Sequence, residues 1–569
     1  MQAGREDVDP LPRPLGTLPY PMITWSSMAD LDWWRGAVIY QVYPRSFQDS
    51  NGDGVGDLPG ITRRLDHIAS LGVDAVWISP FFKSPMADMG YDVSDYRDVD
   101  PMFGTLADFD ALLARAHELG LKIIIDQVLN HTSDQHAWFK DSRADRANAK
   151  ADWYVWADPK PDGTAPNNWI SVFGGQAWEW DGRRGQYYMH CFLASQPELN
   201  FHNTEVQDAM LDTVRFWLDR GVDGFRLDVC NHYFHDALLR DNPTLPPEGS
   251  TAPRSANPYN FQNHLYDHNR PENLGFLRRF RTLLDEYPGT MAVGEVSEIA
   301  QGPRVIEQYT SGTEGLHFCY TFDLFGADFS GDAFRGAVNR FVEATRDGWV
   351  CWTLSNHDFM RHVSRFAKRP EDQDAIARLS LLVLASLRGS ISLYQGEELG
   401  LPEVELRFED LKDPYGIRFW PTIKGRDGCR TPMPWAAAEP AAGFSSGKPW
   451  LPVPDGHLAY AVDAQEKDPA SVLHHYRAAT AFRCAHGVLQ RGSLVFPDAP
   501  SEILAVERSL PDASMLCIFN MTSEAQDWLA PAHHARSSVD PYSTPGATMS
   551  EGRAHLPPWG YLFLNASIK

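Results

Sequence analysis

Long apolar runs are missing from this chain. No stretch of roughly 18 apolar residues occurs, so no membrane-spanning helix and no membrane association are expected. Residues 1–30 carry Glu6, Asp7 and Asp9, then Pro10, Pro12 and Pro14. They contain no apolar segment of signal-peptide length and read as a loose N-terminal arm. Positive charge is scarce: 51 Lys and Arg stand against 75 Asp and Glu, a net charge of −24. With no basic patch to offset that balance, nucleic acid and anionic membrane surfaces are excluded as main partners. Cysteine is sparse. Cys191, Cys230, Cys319, Cys351, Cys429, Cys484 and Cys517 stand far apart with no CxxC pair. Neither a zinc site of that type nor a disulfide framework is indicated, and a reducing, cytoplasmic location is expected. What is plentiful is apolar and aromatic side chain, at 43% and 12%, enough for a substantial core.

From Trp33 onward short apolar strands alternate with helical patterns, the mark of a parallel sheet wrapped by helices. Strands are predicted at Val38–Val42, Ala75–Ile78, Lys122–Asp126, Gly224–Val229, Met291–Glu295, His317–Phe322, Trp352–Leu354 and Ile391–Tyr394. Helices are predicted over Ile61–Leu71, Leu106–Leu119, Val206–Leu218 and Leu473–Arg483. Eight such units over roughly 450 residues suit an α/β (β/α)₈ TIM barrel. A doubly wound open sheet is the rival, but its glycine-rich first turn is absent, and no organic cofactor is expected. After His131 the alternation stops for about 70 residues, too long for a plain connection, so residues 132–201 read as an inserted subdomain. The barrel would then comprise residues 31–131 and 202–486. Residues 487–569 shift to short alternating strands and read as a C-terminal antiparallel β domain.

Barrel enzymes carry their reactive groups at the C-terminal ends of strands. Asp228, Glu295 and Asp358 stand at such ends. Clustered carboxylates repel one another, so they are kept mainly for acid/base work or metal binding. Arg226, two residues before Asp228 and on the same strand face, argues against a metal there and for an ionised nucleophile. Paired carboxylates in this setting suit glycoside cleavage with retention: one attacks the anomeric carbon, the other protonates the leaving oxygen and later activates water. That chemistry requires carboxyl oxygens roughly 5–5.5 Å apart.

Asp126-Gln127-Val128-Leu129-Asn130-His131, Gly224 to Asp228, Gly294-Glu295-Val296 and Asn356-His357-Asp358 resemble the four signature regions of glycoside hydrolase family 13, the α-amylase family. Gln196-Pro197-Glu198-Leu199-Asn200 and Gly425 to Trp435 are similar to segments of its oligo-1,6-glucosidase-like members, including bacterial α-glucosidases. The resemblance runs from Trp33 to the end of the chain. It implies Asp228 as nucleophile, Glu295 as general acid/base and Asp358 as transition-state stabiliser. It also implies that His131, His357 and Arg226 surround the same glucose ring, that Tyr91 stacks on it, that Asp88 binds a distal hydroxyl, and that Phe173 lines the pocket. Arg426 would pair with Asp88 and close the pocket behind the non-reducing end, giving exo action on small α-glucosides and transfer to small glucosyl acceptors. A non-catalytic barrel of the kind that escorts transporters is disfavoured, because all three acids are present.

The segment Asp49 to Asp57 alternates acids and glycines. Asp49, Asn51, Asp53, the Val55 carbonyl and Asp57 suit a hard cation, and the resemblance implies structural Ca²⁺ or Mg²⁺. Val229, after the nucleophile, resembles members acting on α-1,6 linkages. Tyr233-Phe234-His235-Asp236, Leu239 to Pro243 and Asn257-Pro258-Tyr259 resemble α-glucosidases of maltose-sized substrates, some of which transfer glucose to alcohols and phenols. The expectation is therefore a retaining α-glucosidase, with a transglucosylase or an oligo-1,6-glucosidase as alternatives, as a monomer or homodimer.

Overall fold

The computed structural model describes residues 31–245, 256–299 and 301–566; the proposed arm at 1–30 lies outside the described residues. Eight parallel strands close into a barrel in sequence order: β1 (Val38–Val42), β2 (Ala75–Ile78), β3 (Lys122–Gln127), β4 (Gly224–Leu227), β5 (Met291–Val296), β6 (Phe318–Thr321), β7 (Val350–Trp352) and β8 (Ser390–Tyr394). Burial of both strand faces explains their mainly apolar character. Ile123 and Ile125 of β3 pack outward under the helices, while Ile124 joins the inner core with Ile39, Ala75, Val293 and Phe318.

Two strands depart from the sequence expectation by two residues. β4 stops at Leu227 because Val229 takes the left-handed conformation, with φ 36°. β7 lies at Val350–Trp352, displaced toward the N-terminus from the predicted Trp352–Leu354. Local chemistry marks the helix starts. Asp57 caps the helix Leu58–Ser70, Thr105 and Asp108 form a capping box on Leu106–Glu118, and Asn203 caps Thr204–Asp219.

Between β3 and the helix at Thr204, the chain forms a short helix, Ala137–Ala144, and a three-stranded antiparallel sheet of Trp156–Ala157, Gln186–Met189 and Trp178–Asp181. Val155, Trp169, Trp178 and Met189 form its own core. The loop after β4 is tied to this unit: Asn168 Nδ2 and Trp169 Nε1 donate to the carbonyls of Asn242 (2.8 Å) and Arg240 (2.9 Å).

At the C-terminus a five-stranded antiparallel sheet faces a three-stranded one across Ile503, Ala505, Leu516, Ile518, Trp528 and Leu562. The alternate residues of the larger sheet, Leu504, Val506, Met515 and Cys517, turn toward the barrel. Arg508 completes that junction. Fully buried, it donates to the carbonyls of Ser386, Leu489, Gly492 and Ser493 at 2.6–3.0 Å. Arg508→Met should leave these buried carbonyls short of donors, costing about 3 kcal/mol or more. Calorimetry should record a thermal midpoint several degrees lower.

Candidate active site

The alternation of the barrel strands builds the site. Two residues beyond the inward-pointing Ile39, Ala75, Ile124, Val293 and Phe318 come Gln41, Trp77, Asp126, Glu295 and Tyr320, on the same face. Strand register then sets Asp126 opposite Arg226, and Glu295 opposite Tyr320. An apolar layer is thus capped by a polar one at the C-terminal rim.

Arg226 is the centre of that layer and is fully buried. Its Nη1 donates to Asp126 Oδ1 at 2.8 Å and to Asp228 Oδ1 at 2.6 Å; its Nη2 reaches Glu295 Oε2 at 2.7 Å and Tyr320 Oη at 2.9 Å. Asp228 and Glu295 are therefore held by the two arms of one guanidinium, on one side of the barrel mouth. Tyr320 donates to Glu295 Oε1 at 2.5 Å, and the backbone N–H of Val229 donates to Glu295 Oε2 at 2.9 Å. A β-branched residue in the left-handed region is strained. Here that conformation aims an amide at the second carboxylate. Burial pushes Asp228 well above the usual carboxylate range, with Arg226 opposing and Glu295 and Asp126 reinforcing it. Burial likewise raises Asp126 to about 6 against the same guanidinium. Three carboxylates share one cation, so the cluster favours retention of a proton.

A second guanidinium gathers three further carboxylates. Arg426 Nη2 donates to Asp88 at 2.7 Å and Asp413 at 2.8 Å, and its Nη1 to Asp358 at 3.2 Å. Arg430 also donates to Asp358, at 2.8 Å. Burial works against the charge on Asp358, but His357, Arg426 and Arg430 overcome it and hold the carboxyl well below the usual range. Asp358 stays ionised, whereas burial favours the protonated form of Asp228.

His357 is sandwiched between Tyr91 (ring centroids 5.2 Å apart, 3° between planes) and Tyr43 (5.6 Å, 18°). Its Nδ1 faces Gln41 Nε2 at 2.8 Å, while Nε2 lacks a hydrogen-bond partner and lies 3.3 Å from Asp358 Oδ2. Tyr91 donates to Asp126 at 3.0 Å. His131 is fixed through the Tyr91 carbonyl (3.1 Å), Gln196 (3.2 Å) and Asn130 (3.1 Å). Burial drives His131 down to about 4 and His357 well below its ordinary value, so both are neutral near pH 7. Phe173 lies under Arg426, its ring 5.2 Å from the guanidinium carbon. Asn257 Nδ2 donates to the Val172 carbonyl at 2.6 Å and so anchors the segment carrying Phe173 to the loop after β4.

The structure thus brings Asp88, Tyr91, His131, Phe173, Arg226, Asp228, Glu295, His357, Asp358 and Arg426 into one connected network. Sequence reading gave no role to several other members, among them Asp126, Arg430, Tyr320, Gln196 and Asp413. Tyr320 could have been found from strand alternation, standing two residues before Phe322 and beside Glu295. Gln196, which donates to Asp88 at 3.2 Å, lay within a quoted motif without a role. Asp413 gave no signal: thirteen residues before Arg426, it faces it only because the intervening chain folds back.

The Asp49–Asp57 segment sits apart from this network. Asp49 accepts the amides of Asn51 (2.9 Å), Gly52 (2.7 Å) and Gly54 (2.8 Å); Asn51 and Asp53 accept from Asp53 and Val55 in turn, both at 2.8 Å. Gly54, at φ 93°, leaves no room for a side chain, since a Cβ would meet the Lys448 carbonyl. Asp57 faces the other way, accepting from Gly60 at 2.7 Å and from the Ser50 amide and hydroxyl at 3.1 and 2.8 Å. All seven cysteines are unpaired.

Comparison with known proteins bears on this site. The profile of the alpha amylase catalytic domain matches residues 41–492. A probable alpha-glucosidase of Rhizobium meliloti (strain 1021) is 56% identical over 540 residues, covering 94% of this chain and 97% of the relative. An oligo-1,6-glucosidase of Parageobacillus thermoglucosidasius is 37% identical, covering 88% and 92%. Among solved structures, the alpha-glucosyl transfer enzyme XgtA superposes with a TM-score of 0.90 at 54% identity, over 94% of this chain and 99% of that one.

Two outcomes follow from the geometry. Asp413→Asn should weaken the grip on Arg426 and lower kcat/KM by about 10–100-fold, as loss of a charge-assisted bond of about 1.5–3 kcal/mol does. Steady-state kinetics would check it. The buried neutral histidines His131, His136, His190 and His457 are each depressed from 6.5 to about 4, chiefly by burial. Between those values the unfolded chain binds more protons than the folded one, so their stabilisation falls as pH drops. Calorimetry should show a thermal midpoint declining from pH 6.5 to 4; a flat profile would contradict this.

Proposed function

The chain belongs to the alpha-amylase family, and from that premise we propose that it is a retaining, exo-acting α-glucosidase of short α-glucosides such as maltose. The observation that carries this reading is the pair of guanidinium clamps. Arg226 holds Asp228 and Glu295 together at one end, and Arg426 joins Asp88 to Asp358 at the other. Two carboxylates on one guanidinium suit the roughly 5–5.5 Å spacing of a retaining pair. A pocket shut by a buried ion pair admits one terminal glucose and no longer chain on that side.

In this reading Asp228 attacks the anomeric carbon while Glu295 protonates the departing oxygen. Glu295 then deprotonates water, which releases glucose with its α configuration retained. Asp358, held ionised, binds sugar hydroxyls more tightly as positive charge develops on the ring. Neutral His131 and His357 donate or accept hydrogen bonds at the ring without competing as cations. Tyr91 and Phe173 offer apolar surface to it. The likeness to XgtA supports a second reading, in which an acceptor hydroxyl replaces water in the same second step. Val229 supports some action on α-1,6 linkages, and the loop after β4, tied to the inserted unit, supports short leaving groups.

A structural Ca²⁺ or Mg²⁺ fits the donor set of the loop after β1. Asp49, Asn51, Asp53 and the Val55 carbonyl would hold it through oxygen, while Asp57, engaged with the helix N-terminus, would anchor the loop. Such a cation would stiffen the loop and take no part in the chemistry. The site is complete within one chain, which suits a monomer or a homodimer, and unpaired cysteines suit a reducing cytoplasm. Among the described residues no helix is long and apolar enough to cross a membrane.

Incubation with maltose, isomaltose, sucrose and p-nitrophenyl α-glucoside, with products identified by NMR, tests the reading. Release of α-glucose is expected, with transfer products at high substrate; no cleavage of any of the four would refute it. Asp228→Asn and Glu295→Gln should each lose several orders of magnitude in kcat with an unchanged circular dichroism spectrum.

A further inference from the structure

Away from the catalytic network, the C-terminal domain gathers nitrogen and oxygen donors around an unsatisfied atom. Glu507 lies on strand Ile503–Ser509, and His533 and His534 lie on the turn Ala532–His534. The Nε2 atoms of His533 and His534 stand 3.2 and 3.3 Å from Glu507 Oε1, and ligand atoms of all three residues lie within 4.8 Å of one another. His534 is fully buried. Its Nδ1 is held by the Ser537 hydroxyl at 3.2 Å, and its Nε2, directed at Glu507, has no hydrogen-bond partner. An imidazole oriented through one nitrogen, with the other facing only a carboxylate, is how metal-binding histidines are prepared. Tetrahedral ligands bound at about 2.0–2.1 Å stand roughly 3.3 Å apart, the spacing found here.

We propose that Glu507, His533 and His534 bind a single Zn²⁺-like cation, with the fourth position open to water. His533 is exposed and provides the route of entry, and two imidazoles with one carboxylate suit a borderline first-row cation better than a hard one. The cation would act as a clip. Glu507 shares the strand face of Ile503 and Ala505, which looks toward the smaller sheet, and the histidine turn joins strand Gln526–Leu529 of that sheet to Ser538–Val539 of the larger one. The other cluster of such groups, His264, Asp267 and His268, differs in that both nitrogens of His264 are already engaged, by Asp267 and the Tyr259 carbonyl.

The full chain, stripped with EDTA and dialysed, should be titrated with ZnCl₂ by calorimetry, alongside Glu507→Gln and His533→Ala. Both positions reach the surface, which spares the fold; His534→Ala is avoided because that side chain is buried. One equivalent should bind the unmodified protein. Binding should weaken by at least about a hundredfold in either variant, beyond the 10–100-fold that loss of an outer-shell partner produces. Zn²⁺ should raise the thermal midpoint of the unmodified chain and not that of the variants, while turnover of p-nitrophenyl α-glucoside by the metal-free variants stays unchanged. Absence of Zn²⁺ binding, or binding that survives both substitutions, would overturn the proposal.

Discussion

The barrel mouth depends on one buried cation. Arg226 pairs with Asp126, Asp228 and Glu295 at once and offsets part of the cost of burying them. The fork geometry of arginine lets a single side chain reach both Asp228 and Glu295 through separate nitrogens, which the point charge of a lysine could not do. Because one positive charge is set against three negative ones, the arrangement favours keeping a proton within the cluster.

A second cluster repeats the device with more positive charge. Two guanidiniums, Arg426 and Arg430, converge on Asp358 and keep it charged. Surroundings thus drive the carboxyls of Asp228 and Asp358 in opposite directions without any difference in their intrinsic chemistry. Aromatic packing supplies the rest: Tyr43, His357 and Tyr91 form a rigid stack that fixes the imidazole beside Asp358.

Much of this was legible in the sequence because it is local. Strand alternation places Arg226 and Asp228 on one face, and the apolar run Ile123–Ile125 ending in Asp126 marks a buried strand with a polar rim. The ends of β4 and β7 were not legible. Val229 has high strand propensity, yet the chain turns there to bring its amide to Glu295, a tertiary demand that overrides propensity. Trp352-Thr353-Leu354 looks as strand-like as Val350-Cys351-Trp352, and only pairing with β6 and β8 selects the latter.

The sequence by itself determined the succession of strands and helices, the polar residues at strand ends and the motifs that place the chain in its family, since these follow from the period of side chains along the backbone. Only the tertiary structure decided which distant groups meet. Asp413 beneath Arg426, Tyr320 against Glu295 and the histidine pair beside Glu507 come from separate segments. Such pairings depend on barrel closure and loop return, for which one-dimensional spacing holds no record.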